Sequence, residues 1–499
     1  MVVKGAVASI STLGIVTANR PAAVQRCIAS YIEHLQQHGR TPRLFIIDDS
    51  RRQEDATATK RIVTGAGRTY GGAIRYIGVR EKADARRILE RAGIDRPTID
   101  FGLPARGHGF APGANRNHLL LATAGDLLLT ADDDTVCDTW SGSDDDSVAF
   151  AGQADPRRFE FFANRRQALA ATQRTGVDLL GGHEQVLGRS LSDIAASAQS
   201  TTLDTACDHI VAGLKLKHDG YQVRVTSSGL AGDSAMRSPY RLLFSPTTTH
   251  HWTTIDERTF TRALTRRETR RFARRTTVTH QAATMMYSAG IDNRTVTPPF
   301  NPIGANEDGL FGVMLRLMAP TAFLAHIPVG IVHDSNRPSA YDRPHMPCVS
   351  ETRIADLTIA LLHEWTMTSA AMATPRARLK SLGKHLVALA DMPVDECAAR
   401  VVAASLNLWQ HERTRLDELI AATPGLPAFW LRTLDKYRAT FLRNAADPTF
   451  FIPIEVKRTD SPGRGFRRLQ MSLGSLGRLM IAWPEIWAIA RRERLYWAA

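Results

Sequence analysis

Three consecutive carboxylates, Asp132–Asp133–Asp134, stand just past the apolar run Asp126–Leu127–Leu128–Leu129–Thr130. Holding three acids together at a strand end is costly unless a cation neutralises them. Hard oxygen donors of this kind call for Mg²⁺ or Mn²⁺, usually shared with substrate phosphates. Upstream, Pro112–Gly113–Ala114–Asn115–Arg116–Asn117 opens an apolar helix. A helix N-terminus carrying a glycine and an arginine suits a diphosphate. Two later elements extend the set. Asn306–Glu307–Asp308–Gly309 precedes the helical run Leu310 to Met318, and His333–Asp334 follows the apolar stretch Pro328 to Val332. Each also has a plainer reading: a polar turn for the triplet, helix capping for Asn306 to Gly309, a strand end for His333. A second triplet, Asp144–Asp145–Asp146, lies among serine and glycine with no strand before it, and reads as a solvated loop.

The elements that must position these residues alternate between strand and helix signals. Thr12 to Thr17 is a short buried strand, and Pro21 to Gln37 is a helix with Val24, Cys27, Ile28, Tyr31 and Leu35 on one face. Leu44 to Ile47 is a second strand ending in Asp48–Asp49–Ser50, Arg75 to Val79 a weaker third, Glu81 to Ala92 a helix, and Asp126 to Thr130 a fourth strand. This alternation implies a parallel sheet covered on both faces. Ligands bind beyond the carboxyl ends of such strands, and acidic residues cluster at two of those ends. The segment Lys4 to Ala23 also mimics a signal peptide, but Thr12 to Ala18 reads as the buried first strand and Pro21 onward as a helix start. Beyond about residue 150 the pattern is mixed. A proline-punctuated stretch from Arg337 to Pro347 reads as a linker, and long helical runs follow, such as Ile354 to Met372 and Asp395 to Ala422.

Composition sets the outer bounds. The 499 residues carry 63 basic and 50 acidic side chains, a net charge of +13, which favours an anionic partner. Five scattered cysteines with no CxxC pair argue against a disulfide framework or a structural zinc, and for a reducing, cytoplasmic setting. No uninterrupted apolar stretch is long enough to predict a transmembrane helix.

Taken together and in order, these residues resemble the GT-A glycosyltransferases, most closely the family 2 type that uses nucleotide-sugar donors. Thr17–Ala18–Asn19–Arg20–Pro21 looks like that family's first strand and nucleotide-proximal turn. Asp48–Asp49 looks like its second-strand acidic pair, which contacts the base. Gly113 to Asn117 is similar to its glycine and arginine segment, Asp132–Asp133–Asp134 to its DxD motif, Glu307–Asp308 to its xED motif, and His333 to its C-terminal metal-binding histidine. The resemblance covers about residues 12 to 340. It implies a GT-A fold, a Rossmann-like α/β architecture with a mixed, mostly parallel sheet flanked by helices, over residues 1–345. An insert at about 144–279 interrupts that domain, and a mainly helical region follows at 346–499.

The same resemblance implies a division of labour. Thr17, Asn19, Arg20, Asp48, Asp49, Asn115, Arg116, Asp132 and Asp133 would bind the nucleotide sugar. Asp134, Asp132 and His333 would hold Mn²⁺ or Mg²⁺. Asp308, beside Glu307, would take the proton of an acceptor hydroxyl, giving transfer with inversion. The acceptor could be a glycan, a lipid-linked glycan, a protein or a small molecule.

The departures are the long insert, its basic helix-like stretch Glu257 to Arg275, its patch His250–His251–Trp252, and a helical tail without counterpart. The turn-rich segment from Tyr287 to Pro302 suits either an acceptor-facing loop or an ordinary surface loop. The basic stretch fits a solvated helix face or a dock on an anionic membrane surface, and no nucleic-acid motif accompanies it. Leu476 to Trp497 fits an interfacial helix or a final helix docked on the domain. Gly65–Ala66–Gly67 with Gly71 follows helical sequence, so a dinucleotide-binding fingerprint is not made. His183–Glu184 has no second histidine at protease spacing. A metal-dependent nucleotidyl- or phosphotransferase uses the same strand-end carboxylates, and a non-enzymatic basic protein at a membrane surface also stays open.

Overall fold

The computed structural model describes residues 8–106, 112–143, 146–152, 156–172, 175–203, 220–236, 255–282, 284–335, 337–341, 352–365, 374–457 and 461–497. Among them thirteen strands form one mixed sheet. In chain order they are β1 (Thr12–Thr17), β2 (Arg43–Asp48), β3 (Ile74–Ile77), β4 (Leu127–Asp132), β5 (Thr135–Ser141), β6 (Val148–Ala151) and β7 (Arg158–Phe161). Then come β8 (Thr201–Leu203), β9 (Gln222–Asp233), β10 (Glu268–Phe272), β11 (Thr276–Thr279), β12 (Ser288–Asp292) and β13 (Ala322–His333). The spatial order is β3-β2-β1-β4-β12-β9-β13-β11-β6-β8, with β5 also on β13 and β10 joining β9 to β7.

The first half follows from its sequence pattern. In β1, Leu13 and Ile15 face one apolar cluster together with Val24, Cys27, Ile28 and Tyr31 of α1 (Pro21–Gln37). Val16 faces the opposite cluster, with Leu119 to Ala122 of α5 (Pro112–Ala122). This is the period-two alternation of a strand covered on both faces. Between β2 and β4 lie α2 (Gln53–Ala66), α3 (Val79–Arg91) and α4 (Arg96–Gly102).

Three expectations are corrected. The sheet is more evenly mixed than expected: six ladders are parallel, β1–β2, β1–β4, β2–β3, β9–β13, β6–β11 and β6–β8, and six are antiparallel, with β12 antiparallel to both β4 and β9. Strand β9, from the stretch expected as an insert, lies within the sheet between β12 and β13. The basic stretch is helical only over Glu257–Thr265 and then becomes β10. There Arg267 forms a buried ion pair with Asp233 at 2.9 Å, and Arg270 pairs with Glu160 at 2.6 Å, so it is not one solvated helix face. The segment after Tyr287 is likewise not an exposed loop, because Ser288–Asp292 is the fully buried β12. Asp144, Asp145, the His250–Trp252 patch and the linker beyond Tyr341 lie outside the described residues.

The helical tail docks on the sheet layer. The long helix Pro462–Glu493 buries Leu476, Leu479, Trp483 and Trp487 in the same apolar cluster as Phe45, Ile47 and Leu120. Its Leu479 lies so close to Gly102 of α4 that a Cβ there would stand 2.4 Å from the leucine Cδ1. Trp497 stacks under the Arg43 guanidinium at 4.0 Å. No helix among the described residues is long and apolar enough to cross a membrane.

One buried histidine links α1 to the segment entering Leu179. His34 Nε2 accepts the Leu179 N–H at 3.1 Å, and burial pushes the imidazole down to about 4. A folded-state value below the unfolded 6.5 means the contribution is present above that pH and is lost as pH falls toward 4. Replacing His34 by glutamine, which can still accept that N–H, should flatten the drop in Tm between pH 6.5 and pH 4. Parallel melting curves for the two proteins would contradict this.

Candidate functional site

The chain winds from β1 outward to β2 and β3, then returns to β4 on the other side of β1. The carboxyl ends of β1 and β4 therefore border a topological switch point, where open α/β sheets form a ligand crevice. β12 is antiparallel to its neighbours β4 and β9, and β13 is parallel to β9. The ends of β1, β4, β9 and β13 thus emerge at one edge, carrying Thr17, Asp132, Asp233 and His333.

Register fixes the closest contacts. β5 leaves the turn Asp133–Asp134 and pairs with β13, placing Thr135 opposite His333. The Asp334 N–H then donates to the Asp134 carbonyl at 2.6 Å. His333 Nδ1 lies 2.9 Å from the Asp233 carbonyl, and Nε2 lies 3.2 Å from Asp134 Oδ1. A carbonyl only accepts, so Nδ1 carries the hydrogen and Nε2 faces the carboxylate with its lone pair unless a proton or metal intervenes. The other Asp134 oxygen accepts from Arg20 Nη1 at 2.7 Å. Arg20 also pairs with Asp133, which takes the Thr17 hydroxyl at 2.6 Å. Against the cost of burial, His333 and Arg20 hold Asp134 below the usual carboxylate range. Burial pushes Asp133 up to about 7.

Arg116 supplies the second hub. Its fixed place on α5 brings Nη2 to 2.6 Å from Asp132 and Nη1 to 2.5 Å from Glu307, the first residue of the helix Glu307–Met318. Burial pushes Glu307 up to about 8 despite that guanidinium. The neighbouring Asp308 is also raised by burial, while Arg116 and the backbone amides of Gly309 and Met286 pull the other way. Five carboxylates (Asp132, Asp133, Asp134, Glu307, Asp308) thus converge on two guanidiniums and one imidazole. The cluster is short of positive charge.

Asp48, Asp49 and Asn115 occupy the neighbouring β2 end. Asp48 accepts from the Ser50 N–H at 2.8 Å and from the Tyr76 hydroxyl at 2.8 Å. Asn115 Nδ2 donates to the Thr17 carbonyl at 3.0 Å, and its oxygen accepts from Lys82 Nζ at 2.7 Å. Asn115 therefore staples β1 to α3, and its polar atoms face inward. Asn19 sits in the left-handed region at φ 56° and ties the first turn to Ser50 and Arg51. A cavity of about 670 Å³ opens at this end, lined by Asp48, Ser50, Tyr76, Lys60, Arg61 and Arg80. None of those three cations forms an ion pair among the described residues.

The donor set has the chemistry for a hard divalent ion: two carboxylates, an imidazole whose far nitrogen is pinned, and a charge deficit. Among the described residues, however, no three acidic, histidine or cysteine side chains are gathered around one coordination point. Asp132 is turned to Arg116, and Asp134 is shared between Arg20 and His333. Metal entry therefore requires these carboxylates to exchange arginine partners for the ion.

Sequence reasoning missed Lys82. This lysine is fully buried on α3 and also donates to the Asp48 carbonyl at 2.8 Å. Its spacing from Ala85 and Leu89, three and seven residues on, marks it as part of the buried face. Lys82→Met would leave the Asp48 and Asn115 oxygens without their donor, costing about 3 kcal/mol. Urea denaturation measures that loss, and an unchanged unfolding midpoint would contradict the role.

No protein-family model matches the chain, and no curated protein matches it.

Proposed function

We propose that this chain is a metal-dependent glycosyltransferase of the GT-A, family 2 type, transferring a sugar from a nucleoside-diphosphate sugar to an acceptor hydroxyl. The observation that carries the reading is the meeting of Asp134 with His333, 3.2 Å apart, at an edge that also holds Arg20, Arg116, Glu307 and Asp308. Motifs far apart in sequence share one buried cluster, in the order the resemblance implies. The strand order around β1 and β4 supports the same placement of a nucleotide.

In this reading Asp134, His333 and Asp132 would hold Mn²⁺ or Mg²⁺. The ion, when bound, supplies positive charge to the diphosphate leaving group. Arg20 adds positive charge at the same edge, and its side chain is 46% exposed, so it can leave Asp134 for a phosphate. The nucleoside would lie at the Asp48–Tyr76 end, where cations without an ion-pair partner among the described residues favour an anionic ligand. Asp308 orients the acceptor hydroxyl and accepts its proton. Burial raises its pKa, which makes the carboxylate a stronger base, and one base facing away from the leaving group implies inversion. Glu307, clamped on Arg116, fixes the first turn of its helix and so the aim of Asp308.

UDP-glucose, UDP-N-acetylglucosamine and GDP-mannose are suitable probes for donor hydrolysis or transfer. Turnover should need Mn²⁺ or Mg²⁺ and stop with EDTA; turnover that survives EDTA sinks the metal role. Asp134→Ala should abolish donor binding, whereas Asp308→Asn should keep it and lower transfer about 100-fold or more. Release of pyrophosphate or a phosphorylated product instead of free nucleoside diphosphate would favour the phosphotransferase reading.

The rate should also depend on pH in one direction. A raised Asp308 must lose its proton to act, so kcat should fall on acidification with an apparent pKa above the ~3.9 of a free aspartate. A rate that stays flat from pH 8 down to pH 4 would contradict that role.

A further inference from the structure

The segment from Asn293 to Asn306 runs from the end of β12 to Glu307, and the C-terminal helical region grips it at four points. Trp487 Nε1 donates to Asn293 Oδ1 at 3.0 Å, and Trp483 Nε1 donates to the Thr297 carbonyl at 2.8 Å. Glu455 lies against Gly304, where a Cβ would stand 2.4 Å from its Oε1 and where φ is +80°. Asp356 Oδ1 accepts from Asn306 Nδ2 at 2.6 Å. Glu455 also accepts the Ile354 N–H at 3.2 Å, the first residue of the helix Ile354–His363 that bears Asp356. The last two grips therefore form one unit.

Asn306 is the residue through which this unit reaches the acids. It caps the Glu307–Met318 helix in the left-handed region, at φ 67°, and makes no side-chain capping bond to it. Its amide points instead to Asp356, and the missing side chain of Gly309 leaves room for it: a Cβ there would fall 2.4 Å from Asn306 Oδ1. A non-glycine residue in that region costs about 1 kcal/mol or more and persists only where its surroundings impose it. The hydrogen bond to Asp356 is the side-chain contact that holds Asn306 in it here.

We propose that the C-terminal helical region is a positioning scaffold for the Glu307–Asp308 pair, with Asp356 a positioning residue that acts through Asn306. This rests on the transferase reading for its effect on rate, but the brace itself is testable without any substrate. Loss of the brace lets the turn before Glu307 relax, and Asp308 loses its aim at the acceptor while the Asp134–His333 end is untouched. The effect therefore falls on kcat and spares donor binding.

The test uses the full chain with Asp356→Ala, Asp356→Asn and Asn306→Gly. Hydrogen exchange of residues 301–312 should accelerate about tenfold in Asp356→Ala and Asn306→Gly, with the rest of the sheet unchanged. Asp356→Asn keeps an oxygen that can accept from Asn306 and should restore slow exchange. On whichever probe sugar nucleotide the wild type turns over, kcat should fall about 10- to 100-fold in the first two variants at unchanged donor KM. Asn306→Gly keeps the left-handed backbone, so it reads the brace even if Asp356→Ala fails to fold. Unchanged exchange and kcat in Asn306→Gly, or an Asp356→Asn protein as impaired as Asp356→Ala, would overturn the proposal. A wild type that turns over none of the probes refutes the transferase reading instead, and the exchange measurement still decides the brace.

Discussion

One register holds the site together: Thr135 opposite His333 across β5 and β13. β5 follows the acidic turn directly, so this pairing leaves Asp134 nowhere to go but beside the imidazole. A slip of one residue would turn His333 to the other face of the sheet and leave Asp134 with Arg20 alone. The surrounding hydrogen bonds defend this alignment, with the Asp334 amide on the Asp134 carbonyl and the Asp233 carbonyl on His333 Nδ1. A ring nitrogen pinned to a backbone carbonyl is also how histidines are oriented at metal sites.

Charge sets the cluster apart from the apolar core around it. Two guanidiniums cannot neutralise five carboxylates, three of them buried and two half-buried, so some of the acids are held protonated or the cluster gathers cations. Burial raises Asp133, Glu307 and Asp308, while His333 and Arg20 keep Asp134 ionised. Environments that push neighbouring carboxylates in opposite directions divide them between roles. In the proposed reading Asp134 would be the charged ligand and Asp308 the stronger base.

Much of the first half was legible in the sequence because its signals are local. β1, α1 and β2 carry unbroken apolar runs or a clean helical face, and Pro21 marks the helix start. The acidic motifs could be read because they stand at strand ends. β9 could not: Gln222–Asp233 is buried on both faces yet built largely of serine, threonine, glycine and alanine, so neither alternation nor bulk announces it. β12 failed for the same reason, with a glycine in five residues and its identity supplied by neighbours on both sides. The basic stretch was read as helix from its charge, but Arg267 and Arg270 find partners only after β9 and β7 align beside β10. Tertiary pairing decided those elements, and local propensity had no access to it.

The helical tail extends this logic. Among the described residues it adds no acid or histidine to the cluster, yet its tryptophans hold the segment that leads into Glu307, so sheet and tail share one apolar interior. The most direct measurement of the central claim is a Mn²⁺ titration followed by electron paramagnetic resonance, with and without UDP or GDP. The account predicts one protein-bound ion whose spectrum changes when the nucleoside diphosphate is added, lost in both Asp134→Asn and His333→Gln. Absence of bound Mn²⁺ in the wild type, or binding that both variants retain, would contradict it.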